Sequence, residues 1–102
     1  SMFRRVLTAR QQRYGMGSDE TSVVIGAMGL LRWRMGEYAA AESLFSEAVR
    51  LHDASQQRDD LRLARDLSGL GIAYWSQGRF AEAEPNMRRA LALREAELGP
   101  YH

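Results

Sequence analysis

The sequence predicts an all-α protein of about two and a half repeats and five helices. Three observations predict this fold class. A period of 42 residues runs through the chain, apolar residues within each period recur at helical spacing, and no segment shows the alternation typical of a strand. Each period is expected to form a pair of helices.

The period is visible in glycines, aromatics and alanines. Moving the sequence by 42 residues places the following residues on each other: Gly29 and Gly71, Trp33 and Trp75, Gly36 and Gly78, Tyr38 and Phe80, Ala41 and Ala83, Ala48 and Ala90. The same offset aligns Phe3 with Phe45 and Met87. We therefore predict a single domain made of a half repeat over 2–17, a repeat over 18–59 and a repeat over 60–102.

Within the first full repeat, a packing stripe recurs every three or four residues and predicts a helix over 21–35. Its members are Val24, Ile25, Met28, Leu31 and Met35. Gly36 interrupts the pattern, and a second helix is expected over 38–56. The next pair is expected over 61–77 and 80–98 with a turn at Gly78, and the half repeat is expected to form a helix over 2–14.

The helix boundaries carry their own signals. Ser18 and Asp60 occupy equivalent positions before the first helix of each pair, and both are residue types that cap helix N-termini. Pro85 removes one backbone hydrogen bond from the last helix and is expected to kink it. The apolar register continues past Pro85, so the helix itself is retained.

Residues 67–100 resemble a tetratricopeptide repeat of the kinesin light chain type, which has a 42-residue period. The matching segments include Leu70-Gly71, Gln77-Gly78-Arg79-Phe80, Ala83-Glu84-Pro85 and Leu98-Gly99-Pro100. The repeat over 18–59 matches more loosely. The resemblance implies an antiparallel helix-pair solenoid whose first helices line a concave groove, and it implies an adaptor that binds a protein or peptide there without catalysis.

Helical spacing and the family geometry together place nine residues on the groove side of the first helices. They are Val23, Gly26, Leu30, Trp33, Arg34, Arg65, Ser68, Ile72 and Trp75. Trp and Arg are enriched at binding hot spots, and Arg34 with Arg65 could meet an acidic partner. The alternative for the two Trp rings is that they cover the seam between helices as part of the core.

Four glycines lie in these two helices although glycine disfavours helix by about 1 kcal/mol relative to alanine. Gly29 and Gly71 are explained by close approach of the paired helices. Gly26 and Gly69 either leave room for a partner or are merely tolerated. The groove helices also lack the Asn that this family uses to hold an extended peptide, which favours an amphipathic helix or a second copy of the chain as the partner.

Composition argues against other functions. A formal net charge of +1 gives no reason to expect a nucleic-acid or membrane partner, and the absence of Cys excludes thiolate chemistry. His52 and His102 are far apart and are expected to be solvated, so we predict no catalytic residue, no metal site and no cofactor. With no signal peptide or apolar span, the cytoplasm is the expected compartment.

A solenoid of this length is expected to leave apolar surface at its ends, carried by residues such as Val6, Leu7, Met87 and Leu91. We therefore predict a homo-oligomer formed through the exposed repeat ends or through the groove. Two functions remain open at this point, and an enzyme is a distant third because no nucleophile, acid–base pair or metal cluster can be assembled from the sequence. The first is a module that binds another protein, and the second is a structural segment that oligomerises a larger repeat protein.

Overall fold

The computed structural model describes residues 19–56 and 58–99, and every secondary-structure element in these residues is an α-helix. The helices are α1 (Asp19–Arg34), α2 (Tyr38–Ala54), α3 (Asp60–Ser76) and α4 (Phe80–Leu98). The all-α prediction is confirmed, and these four helices match the four expected between residues 21 and 98. The expected helix over 2–14 and the expected cap at Ser18 lie outside the described residues.

The bends inside both helix pairs fall at the predicted glycines. Gly36 has a φ of 78° and Gly78 a φ of 76°, a left-handed conformation that glycine adopts without a steric penalty. After α1, the N–H of Glu37 donates to the carbonyl of Arg32 at 2.9 Å, and after α3 the N–H of Arg79 donates to that of Tyr74 at 2.9 Å. These bonds close a Schellman motif at the end of each helix.

The N-terminal cap of α3 is Asp59, so the prediction of Asp60 was wrong by one residue. One Asp59 side-chain oxygen accepts from the backbone N–H groups of Leu61 and Arg62, at 3.1 and 3.2 Å. Asp60 is the first helical residue, and its carboxylate pairs with Arg58 at 2.6 Å. Two consecutive aspartates satisfy the cap pattern equally well, and only the extended backbone at Asp59 distinguishes them.

The four helices pack in chain order, α1 on α2, α2 on α3 and α3 on α4, in a slab of 39 × 31 × 18 Å. Three buried clusters hold them together. The clusters are Ile25 with Ala48 and Leu51; Ala41 with Phe45, Leu70 and Ala73; and Leu63 with Ala64, Leu67 and Ala90. Small alanines in each cluster let the helices approach closely, while leucine and phenylalanine supply the apolar area.

The buried side of α1 agrees with the predicted stripe at Ile25 and differs from it toward the C-terminal end of the helix. Leu31 and Met35, which were expected to pack, have exposed side chains, whereas Gly26 and Gly29 are buried. The two glycines are buried because α1 contacts both neighbouring helices, with Gly29 against Phe45 of α2 and Gly26 against Asp66 of α3. The closest contacts of α1 are therefore made by glycines, which hydrophobic spacing does not detect.

The last helix continues through Pro85 without interruption, as its apolar register predicted. Its charged residues form local pairs, Arg79 with Glu82 and Arg88 with Glu84. Gly71 allows α3 to approach α4, since a Cβ atom there would lie 2.7 Å from Met87 Cγ. This confirms the close approach expected of the paired helices.

Candidate partner-binding groove

A cavity of about 340 Å³ opens between α1 and α3, the two helices expected to form the groove. Its lining residues are Gly26, Ala27, Leu30, Phe45, Arg65, Ser68, Gly69, Ile72 and Arg94. Five of the nine predicted site residues are among them. A smaller cavity of about 60 Å³ adjoins it, and Trp33 lines that cavity together with Leu30 and Ile72. The two cavities share Leu30, Phe45, Gly69 and Ile72 and so form one continuous surface.

The floor of the groove is built by the core. Phe45, from α2, lines both cavities and is 5 % exposed. A Cβ atom on Gly69 would lie 2.5 Å from Phe45 Cε1, and a Cβ atom on Gly26 would lie 2.5 Å from Asp66 Oδ1. The role of these two glycines was left open. Packing beneath the groove requires both of them, because Phe45 of α2 lies against Gly69 and Asp66 of α3 lies against Gly26.

The rim of the groove is cationic. Arg65 and Arg94 line the cavity, and both have exposed side chains. Arg65 lies 3.7 Å from the buried carboxylate of Asp66, whereas Arg94 makes no ion pair with any residue between 19 and 99 that the structure describes. The combination of an apolar floor and a guanidinium rim suits a ligand with an apolar side chain next to a carboxylate.

The two Trp residues have different environments. Trp33 is half-buried against the cluster around Phe45, and its indole Nε1 donates to Ser76 Oγ at 3.0 Å. Trp75 is exposed, and its ring contacts that of Phe80 edge to face, with 4.4 Å between the centroids. Trp75 lines a separate surface on α3 and α4 rather than the groove.

The remaining two predicted site residues, Val23 and Arg34, line neither groove cavity. Val23 is half-buried in the first turns of α1, and Arg34 is exposed at its last residue. The structure thus groups six of the nine predicted residues around the two groove cavities and leaves Val23, Arg34 and Trp75 outside them.

A buried polar pair lies beneath the groove, and the expectation that His52 is solvated was wrong. His52 on α2 and Asp66 on α3 are both fully buried, with 3.0 Å between Nε2 and Oδ2. Asp66 lies within the apolar stripe of Leu63, Leu67 and Leu70. A buried carboxylate needs a polar partner. The position of Asp66 within this apolar stripe was therefore the sequence signal that could have indicated a buried pair.

Further polar contacts tie the hairpins together on the other side of α2. Glu42 accepts hydrogen bonds from Gln77 at 2.9 Å and from Arg79 at 2.6 Å. Arg79 also lies over the ring of Tyr74, 4.7 Å from its centroid, and burial raises the pKa of Tyr74. The hydrogen bonds of Glu42 connect α2 to the residues that directly follow α3, and so join the two hairpins.

One ion pair joins α2 to α4. Asp53 accepts two hydrogen bonds from Arg89, at 2.6 and 3.1 Å. These hydrogen bonds hold the pKa of Asp53 below its usual value. Across the described residues, no group of three or more metal-ligating side chains is close enough to hold a metal ion. None of the described helices is long and apolar enough to cross a membrane.

Stacked antiparallel helix pairs with a concave groove define a class of protein, the helical-repeat scaffolds. Residues 20–96 match the family model described as tetratricopeptide repeat. The chain therefore belongs to the tetratricopeptide repeat family. Its repeats are generally protein–protein interaction modules, and the family is a non-enzymatic scaffold type. A search of curated proteins finds no match to this chain.

Proposed function

We propose that this chain is a non-enzymatic interaction module that binds a peptide or a partner helix in the groove between α1 and α3. The observation that carries the proposal is the cavity of about 340 Å³ with an apolar floor and two arginines at its rim. Leu30 and Ile72 stand on opposite sides of that cavity, on α1 and α3, and both are partly exposed. An apolar side chain placed between them would bury surface that the free protein leaves wet.

We further propose that the repeats are of the kinesin light chain type, with the divisions 2–17, 18–59 and 60–102, and that the protein acts in the cytoplasm. The 42-residue period and the motifs between residues 67 and 100 support the repeat type. The near-neutral charge supports a protein or peptide partner rather than nucleic acid or a membrane.

Selection from a random peptide library on the purified chain tests the groove. We expect peptides that pair an apolar anchor with acidic residues, because Arg65 and Arg94 flank the cavity. Ile72→Asp should weaken their binding at least about tenfold, which corresponds to about 1.4 kcal/mol. The matched control is Ala39→Asp, at an exposed residue of α2 that lines neither groove cavity. Peptides that bind both variants equally well would show that the groove is not the site.

A structural role in homo-oligomerisation is the second candidate, and exposed apolar residues favour it. Leu31 on α1, Met35 directly after it, and Phe80 and Leu91 on α4 have exposed side chains. Association would remove such surface from water at about 25 cal/mol per Å². Sedimentation or light scattering of the purified chain tests it: a monomer at high micromolar concentration would refute this candidate and leave the groove proposal untouched.

A further inference from the structure

The surface where α3 and α4 end the described stack carries an apolar cavity of about 350 Å³, separate from the groove. We call this surface the end face, and it is lined by Trp75, Phe80, Ala83, Glu84, Met87, Arg88 and Leu91. Trp75 is 59 % exposed and Leu91 is 56 % exposed. Large apolar side chains left this open mark an interaction surface.

The chain contains a covered version of the same face. Residues 42 positions earlier than those of the end face are Trp33, Tyr38, Ala41, Glu42, Phe45, Ser46 and Val49. The helix that covers this earlier face is α3. Ala41 and Phe45 form a buried cluster with Leu70 and Ala73, and Trp33 packs against that cluster. Within this molecule, a face of this composition thus binds the first helix of the following repeat.

The polar contacts of the covered face have unsatisfied counterparts one repeat later, Trp75 on the end face and Arg94 on the neighbouring rim of the groove. In the covered face, the Trp33 indole donates to Ser76, and His52 pairs with Asp66. Trp75 corresponds to Trp33, and its indole has no hydrogen-bond acceptor among the described residues. Arg94 corresponds to His52 and makes no ion pair within that same part of the chain.

We propose that the end face binds a helical hairpin of the same repeat pattern, whose first helix takes the place that α3 takes on α2. Recognition would require an acidic residue opposite Arg94 and a hydroxyl opposite the Trp75 indole. It would also require glycine opposite Met87, as Gly69 lies opposite Phe45. This proposal concerns a surface distinct from the groove and does not rest on peptide binding there.

A second copy of the chain, docked through α1 in the same register, is a poor match to these requirements. Val24 stands at the position of Asp66 and offers no charge to Arg94. Arg34 stands at the position of Ser76 and would bring a cation to the Trp75 indole N–H, which needs an acceptor. The end face therefore favours a hairpin built like α3 and α4 over a second copy.

The test extends the full chain by one period. A copy of residues 58–99 replaces residues 100–102, so that the 42-residue register is kept, and the copied tryptophan is changed to phenylalanine. We expect the Trp75 emission to move to shorter wavelength and its quenching by acrylamide to fall to the level of Trp33. Trp33→Phe and Trp75→Phe versions of both chains assign the two signals. The extended chain should also unfold in one transition at a higher temperature.

Two variants make the test specific. Leu91→Glu should leave the original chain unchanged, since this side chain already faces water, and should abolish the protection of Trp75 in the extended chain. In the extended chain, changing the copied aspartate that corresponds to Asp66 to leucine should make Trp75 accessible to acrylamide again. Adding Arg94→Leu to that variant should bring back the protection of Trp75. This reversal would identify the pairing of Arg94 with an acidic residue.

Two results would overturn the proposal. The first is an appended hairpin that stays unfolded, or that folds and unfolds separately while Trp75 remains open to acrylamide. The second is a dimer of the original chain in which Trp75 is protected from acrylamide. In that case both dilution and Leu91→Glu should expose Trp75. That result would assign the end face to a second copy. Peptide binding in the groove can be measured on the proteins that keep Arg94, which also lines the groove, so failure here is distinguishable from failure of the proposed function.

Discussion

Breaking the buried pair between His52 and Asp66 should strongly destabilise the protein. Both side chains are fully buried, and their closest nitrogen and oxygen atoms are 3.0 Å apart. Removing one partner leaves the other without its counterpart in a region that water does not reach, which typically costs about 3–5 kcal/mol. A protein of this size has a free energy of unfolding of about 5–15 kcal/mol, so either Asp66→Leu or His52→Leu removes a large part of it.

The double variant distinguishes pairing from simple loss of packing. Replacing both partners by leucine removes the buried polar groups together, and such replacements of buried pairs are often close to neutral. We therefore expect the double variant to be more stable than either single one, with a coupling free energy of more than about 1 kcal/mol. Urea unfolding followed by circular dichroism at the helical band measures all four proteins.

A matched control is available at the surface. Asp53 and Arg89 form a similarly short ion pair, but each side chain is about two-fifths exposed. The same cycle at this pair should show a coupling below about 1 kcal/mol. Suppose that the single variants at His52 and Asp66 each lowered the free energy of unfolding by less than about 1 kcal/mol, and that the double variant lost the sum of the two. The reasoning from burial would then be wrong.

Three further predictions follow from the described contacts. Gly26→Ala should lower the free energy of unfolding, because overpacking against Asp66 costs about 1–3 kcal/mol and outweighs a gain in helix propensity of about 1 kcal/mol. In an Asp66→Ala background this clash is absent, so denaturant unfolding should show that Gly26→Ala stabilises the protein. Gly78→Ala should cost about 1–2 kcal/mol, because alanine is strained at a φ of 76°, and an unchanged denaturation midpoint would contradict this. The lowered pKa of Asp53 means that its pair with Arg89 stabilises the fold above the usual Asp pKa of about 3.9, and this contribution is lost as the pH falls through the folded-state pKa. The stability difference between wild type and Asp53→Asn should therefore shrink on acidification, from a starting value below about 1 kcal/mol.

The features that the sequence predicted correctly are set by local chemistry. Gly36 and Gly78 end their helices because the backbone there needs a positive φ, and that requirement is visible in the residue type. The helix pairs follow from apolar spacing within each 42-residue period. None of these requires knowledge of which side chains meet across helices.

The features that the sequence missed depend on contacts between helices. Leu31 satisfies helical spacing on α1, yet it is exposed, whereas Gly26 has no side chain and lies against Asp66. His52 and Asp66 belong to different helices, so no local pattern joins them. Trp33 and Trp75 occupy the same place in the repeat, and they differ because a further helix covers only the first.

Phe45 connects the groove to the stability of the fold. Its ring forms the floor of both groove cavities, lies against Gly69 on α3 and belongs to the cluster that joins α2 to α3. The groove therefore exists only when α1, α2 and α3 are packed together. A partner that fills it binds the folded chain and not the unfolded one, so a partner at a hundred times its dissociation constant should raise the free energy of unfolding by about 2.7 kcal/mol. Partner binding and repeat stacking therefore depend on the same interface between α1, α2 and α3.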